Sequence, residues 1–252
     1  MSGTQHPVGG RGRAGAVLSG LAVAVGCLLF LGGFAWGAVV YRPYTVPSDS
    51  MVPTLRPGDR ILAQRIDGAE VRRGDVVVFR DTLWGDTPMV KRVVGVGGDK
   101  ISCCGTGGRL TVNGTPVPEP YLSSPGQASP TNFSATVPDG HLFLLGDQRW
   151  VSLDSRIHLK DQEQGSVPRS AVTARVDAVA WPFTGLDTVE RPDGFAALPG
   201  GVSRPGPVRI VAGAVATGAV LVLLGAAYGP VAGALARRRT RAGALAERTA
   251  GV

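Results

Sequence analysis

The chain has 252 residues, 44% of them hydrophobic, a share ample for one sizeable core or two small ones. Its formal net charge of +7 lies entirely in the flanks, because residues 41–207 carry eighteen basic and eighteen acidic side chains. A phosphate-binding surface would put the basic excess on the folded part, so the charge map excludes nucleic acid as the partner.

Residues 1–13 have no apolar period and are expected to form a disordered cytoplasmic tail. From position 14 to 41 no residue is charged, a run longer than the roughly 20 apolar residues that cross a bilayer. The apolar core of a cleaved signal peptide is about 7–15 residues, so residues 14–40 are expected to be an uncleaved transmembrane helix. Arg42-Pro43 ends it. The folded domain, residues 41–182, opens with Pro47-Ser48-Asp49-Ser50-Met51-Val52-Pro53-Thr54-Leu55, which offers two hydroxyls and no nearby histidine.

Arg56-Pro57-Gly58-Asp59 reads as a turn and residues 60–64 as a strand. Val76-Val77-Val78-Phe79 is a continuous β-branched and aromatic run, the pattern of a strand buried on both faces. Residues 89–96 form the next expected strand, closed by Gly97-Gly98-Asp99. An Asn113-Gly114 turn between short strands at 110–117 predicts a hairpin. Residues 118–140, rich in Pro, Ser and Gly, are expected to be loop, and 141–145 and 171–181 the last strands. Short strands between Gly/Pro turns imply a mainly β fold, an antiparallel sheet domain.

Residues 183–208 lose all periodicity and read as a linker into a second expected transmembrane helix, 209–236, whose uncharged run, 210–236, is Gly/Ala-rich with an apolar centre at 220–224. Residues 237–252 form a basic tail. Arg11 and Arg13 precede the first run, and Arg237, Arg238, Arg239 and Arg241 follow the second, against Arg42, Arg204 and Arg209 at the opposite ends. The positive-inside bias then puts both termini in the cytoplasm and residues 42–207 outside the plasma membrane. Cys27 lies inside the first span. Cys103 and Cys104 are adjacent on the outer side, where disulfides persist, and an internal bond would close a strained ring. With no Cys-x-x-Cys pair and no nearby His, no metal site is expected.

Three lysines occur among 26 basic residues. Lys100 and Lys160 have polar neighbours, whereas Lys91 sits between Met89-Val90 and Val93-Val94 on an apolar strand. Burial disfavours an ammonium ion, so an interior Lys91 would have a lowered pKa and accept a proton near neutral pH; a snorkelling surface lysine is the plain alternative. A serine nucleophile needs such a base. His6 is in the tail, and His141 and His158 read as surface residues, so a Ser–Lys pair fits better than Ser–His. Gly146-Asp147-Gln148-Arg149-Trp150-Val151-Ser152-Leu153-Asp154-Ser155-Arg156 interleaves two acids, two arginines and two serines. It reads as a salt-bridged polar loop. A glycosidase pair of Asp147 and Asp154 is weaker, because the arginines would hold both acids ionised.

Four segments, 47–55, 73–79 (Arg-Gly-Asp-Val-Val-Val-Phe), 91–99 (Lys-Arg-x-x-Gly-x-x-Gly-Asp) and 146–156, resemble in order the motif boxes of type I signal peptidases. The composition and second span resemble actinobacterial members. The resemblance covers roughly residues 36–160. It implies a membrane-bound serine endopeptidase that removes signal peptides from secretory preproteins after small residues, with no cofactor. By the same resemblance Ser50 is the nucleophile, Lys91 the base, and Ser48 with the Ser50 amide the oxyanion hole. Ser152 orients the lysine, Asp147, Arg149, Asp154 and Arg156 brace the site, and Val46, Pro47, Met51 and Val90 line the substrate pockets. Gly97 stands where the family usually has proline, and Gln148, Trp150 and Val151 replace Asn, Asp and Asn; none removes a proposed catalytic group. The rival readings are a Ser–Lys self-cleaving regulator and a non-enzymatic β domain displayed on the membrane.

Overall fold

The computed structural model describes residues 10–124, 126–182 and 187–250. They divide into two compact units, one of strands, Val40–Gly206, and one of two long helices.

The helical unit pairs α1 (Gly10–Val40) with α3 (Val208–Ala250). Gly15–Val40 and Val208–Val231 are each long and apolar enough to cross a membrane, with a mean hydropathy of 2.3. The helices approach through glycines. A Cβ on Gly26 would lie 2.9 Å from the Gly218 carbonyl oxygen, and one on Gly218 would lie 2.4 Å from the Phe30 amide nitrogen. Ser19 Oγ donates to the Gly225 carbonyl at 2.7 Å. Small residues let two helices pack closely where no hydrophobic effect drives them together, which gives the Gly/Ala-rich composition of the second run a physical purpose. The backbone of α3 stays helical through Ala250, beyond the expected end at 236, and residues 1–9 of the expected first tail lie outside the described residues.

The strand unit contains β1 (Tyr41–Thr45), β2 (Arg60–Gln64), β3 (Val76–Phe79), β4 (Met89–Val96), β5 (Lys100–Cys103), β6 (Thr111–Val112), β7 (Thr115–Pro116), β8 (Phe133–Thr136), β9 (His141–Leu145), β10 (Val167–Pro168), β11 (Val172–Trp181) and β12 (Asp187–Thr188), followed by the one-turn helix α2 (Asp193–Ala196). The larger sheet runs β1-β2-β11-β3-β4-β9-β10, with β12 added to β11, and the smaller β7-β6-β5-β8. Every pairing is antiparallel. All four residues of β3 are buried. Val76 and Val78 join one apolar cluster and Val77 and Phe79 another, so the continuous run is a strand covered on both faces.

The structure departs from the sequence expectations in three stretches. Residues 118–140 are not all loop, because Phe133–Thr136 forms β8, with Phe133 and Ala135 buried against β5. These strands are only four residues each, too short to show a period until they pair. Tyr41–Thr45, expected only to end the helix, pairs with β2 along its whole length. The expected linker holds β12 and α2. Its first residues, 183–186, lie outside the described residues, but Phe195 is fully buried and Leu198 nearly so. Arg191 Nη2 reaches Asp177 Oδ1 at 2.6 Å, and the Ser203 hydroxyl donates to Asp75. Sparse apolar anchors and ion pairs hold this segment, and neither leaves a periodic trace. Cys103 and Cys104 are joined by a disulfide at the end of β5.

Candidate active site

Strand β4 lies between β3 and β9, with Lys91 opposite Val77 and Arg92 between Val76 and Leu145. Successive side chains on a strand point to opposite faces, so two adjacent cations enter two different environments. Both are buried, Lys91 to 5% exposure and Arg92 to 1%. Each therefore needs a partner or a change of charge.

Lys91 Nζ donates to Ser50 Oγ at 2.8 Å. Ser50 lies in the connection between β1 and β2, which Val46, Met51 and Leu55 pin into an apolar cluster with Ile61, Val76 and Ala174. Burial pushes the Lys91 ammonium below its ordinary pKa; Asp154 and then Asp147 oppose the shift, and Arg156 adds to it. The Ser48 hydroxyl is exposed and donates to Ser50 Oγ at 3.3 Å. Ser50 and Lys91, 41 residues apart in sequence, come together at one point with Ser48.

The loop after β9 supplies the acids. Asp147 accepts from Arg92 Nε at 2.8 Å, Arg92 Nη2 at 2.7 Å and Thr54 Oγ1 at 2.5 Å. Asp154 accepts from Arg156 Nε and Nη2, both at 2.8 Å, and from the Gly146 amide at 3.0 Å. Arg149 does not pair with either aspartate. It pairs with Glu119, and its Nε donates to the Gly146 carbonyl at 2.9 Å. The Gln148 amide donates to the Ser50 carbonyl at 3.0 Å, which ties the loop to the serine segment. Two buried, arginine-paired carboxylates suit a brace rather than a general acid.

The Ser152 hydroxyl is buried beside Gly146 and has no hydrogen-bond partner among the described residues, while the amine of Lys91 bonds to Ser50. The pocket residues differ among themselves. Val46 and Met51 are core, Val90 is half-buried and Pro47 is exposed. His141 and His158 bond to the Asp139 carbonyl and to Asp161 instead of approaching Ser50. Lys100 and Lys160 are exposed. Arg73 of the segment 73–79 and Asp99 of the segment 91–99 pair with each other at 2.7 and 2.5 Å.

Sequence reasoning missed Arg92, Thr54, Glu119 and Tyr121. A signal existed for Arg92, because a strand apolar on both faces must hide both consecutive cations. Glu119 and Tyr121 carry no such signal, since nothing local separates them from the other polar residues of a Pro-rich loop.

A family model described as signal peptidase, peptidase S26, matches residues 18–181. The probable signal peptidase I of Mycobacterium leprae (strain TN) is 32% identical over 201 residues, covering 57% of this chain and 69% of that protein. The signal peptidase I of Mycobacterium tuberculosis (strain ATCC 25618 / H37Rv) is 32% identical over 194 residues, covering 57% of this chain and 66% of that protein. The chain thus spans about two thirds of the length of these mycobacterial relatives. A solved signal peptidase I from Enterococcus faecalis V583 aligns at 25% identity over 41% of this chain and 94% of its own, with a TM-score of 0.33.

Proposed function

We propose a mechanism from one premise: the chain belongs to the signal peptidase family, peptidase S26. It is a serine endopeptidase of that family, and its reaction is removal of signal peptides from exported preproteins. Ser50 is the nucleophile and Lys91 its base. The observation that carries this reading is the 2.8 Å separation of Lys91 Nζ and Ser50 Oγ at a lysine only 5% exposed.

A neutral Lys91 takes the Ser50 proton as Oγ attacks the scissile carbonyl carbon. The oxyanion rests on the Ser50 amide and the Ser48 hydroxyl. Lys91, now an ammonium ion, protonates the leaving amine as the C–N bond breaks and an ester to Ser50 remains. It then deprotonates a water that attacks the ester and returns the proton to Ser50. The buried Ser152 hydroxyl orients the lysine, accepting from the ammonium form, which has three donors. Asp147, Arg149, Asp154 and Arg156 keep the loop rigid. Val46, Pro47, Met51 and Val90 line the pockets for small side chains.

Both apolar helices cross the plasma membrane, with residues 42–207 on the outer face and the basic flanks in the cytoplasm. A signal peptide keeps its apolar segment in the bilayer and offers its cleavage site just outside. Ser50 follows the first span by about ten residues, which suits that encounter.

The test is cleavage of a preprotein by the full chain in detergent micelles. Ser50→Ala and Lys91→Ala are each expected to abolish product, and processing at the parent rate by either variant would refute the pair.

A further inference from the structure

One buried carboxylate has no part in that mechanism. Glu119 belongs to the Pro-rich stretch after β7, is 7% exposed, and spends both oxygens on Arg149, at 2.5 Å from Nη2 and 3.0 Å from Nη1. The Tyr121 hydroxyl donates to the same carboxylate at 2.5 Å. Arg149 then directs Nε to the Gly146 carbonyl at 2.9 Å, Nη1 to the Ala128 carbonyl at 2.7 Å and Nη2 to the Tyr121 oxygen at 3.4 Å. All five N–H groups of the guanidinium are occupied.

Tyr121 makes a second contact. Its ring lies against the guanidinium of Arg92, 4.1 Å from carbon to ring centroid, and Arg92 is the arginine that holds Asp147. Two residues of one loop therefore grip the two cations that fix Gly146 and Asp147, and the next residue, Gln148, holds the Ser50 carbonyl. Without Glu119 a fully buried Arg149 would seek another counter-charge. Asp147 already acts on it electrostatically, so the two arginines would compete for one carboxylate.

We propose that Glu119 and Tyr121 are positioning residues for this peptidase: by holding Arg149 and Arg92 they set the 146–148 turn and, through it, the backbone of Ser50. The inference rests on Ser50 being the nucleophile. Neither residue belongs to the proposed substrate pockets, so the effect falls on turnover and not on binding. Displacements near 1 Å cost about 10²-fold in rate, so a partial displacement of the turn lowers kcat by about ten- to a hundredfold.

The experiment measures kcat and KM for preprotein cleavage by the full chain in micelles, with the folded fraction checked by thermal melting. Glu119→Gln keeps the shape and removes the charge; Tyr121→Phe keeps the ring and removes the hydroxyl. Both are expected to lower kcat with KM within about twofold of the parent, Tyr121→Phe the less severely. Glu119→Gln should add little once Arg149→Gln is present, because Glu119 acts through Arg149. Parental kcat in a folded Glu119→Gln, or additive losses in the double variant, would overturn the proposal. Should Glu119→Gln not fold, Tyr121→Phe decides by the same criterion of lowered or parental kcat. An active Ser50→Ala would instead strike the nucleophile assignment, so the two failures are distinguishable.

Discussion

Replacing Asp147 by asparagine tests whether a paired carboxylate holds the site together. The side chain keeps its volume and loses its charge. Arg92 is only 1% exposed and gives Asp147 two hydrogen bonds, at 2.8 and 2.7 Å, while Thr54 gives a third at 2.5 Å. Asparagine offers one acceptor oxygen, and its amide group turns donors toward donors. Arg92 is left with a buried, uncompensated charge, which costs about 3–5 kcal/mol when one partner of a buried pair is removed. For a domain of this size each kcal/mol lowers Tm by about 2–4 °C, so a fall of about 6–20 °C is expected. The assay is thermal melting of the full chain in detergent, followed by near-ultraviolet circular dichroism. Arg92→Met combined with Asp147→Leu should recover much of the loss, since a well-packed apolar pair can replace a buried ion pair. A Tm within about 2 °C of the parent for Asp147→Asn would refute the reasoning, because it would mean that Arg92 finds solvent or another partner at no cost.

The other predictions concern the lysine, the loop and the segment before α3. Burial lowers the Lys91 pKa and the neutral amine is the active form, so kcat/KM should rise with pH through a value below that of an ordinary lysine. Asp154 leads the forces opposing that shift; Asp154→Asn should move the acid limb of the pH profile to lower pH, and an unmoved limb would rule out its electrostatic influence. A Cβ at Gly146 would lie 2.1 Å from Ser152 Oγ and 2.5 Å from the Ser50 carbonyl oxygen, so Gly146→Ala should displace the serine segment. Acylation of Ser50 by a β-lactam probe should slow at least tenfold in the folded variant; labelling at the parent rate would contradict this geometry. Phe195 is fully buried in the segment read as a linker, and Phe195→Ala should cost about 3–5 kcal/mol in chemical denaturation. A loss below about 1 kcal/mol would mean that the segment is not part of the fold.

The amino-acid sequence by itself determined the features whose cause is local. Two uncharged runs have the length and hydropathy of membrane-crossing helices whatever surrounds them. Val76–Phe79 and Met89–Val96 are strands because their apolar residues leave no wet face, and Asn113-Gly114 turns the chain because both positions adopt positive φ. The same local logic singled out Lys91 as the lysine on an apolar strand. Only the tertiary structure decided which charges meet. Arg92 pairs with Asp147 across 55 residues and Arg149 with Glu119 across 30, while Ser152, expected beside the lysine, makes no bond to it. It also decided that β5 and β8, four residues each, become strands by pairing with one another, and that the stretch before α3 is folded in through Phe195, Arg191 and Ser203. Periodicity and turn chemistry act within a few residues and can be read along the chain, whereas the partner of a buried charge depends on which distant segment the fold brings within 3 Å.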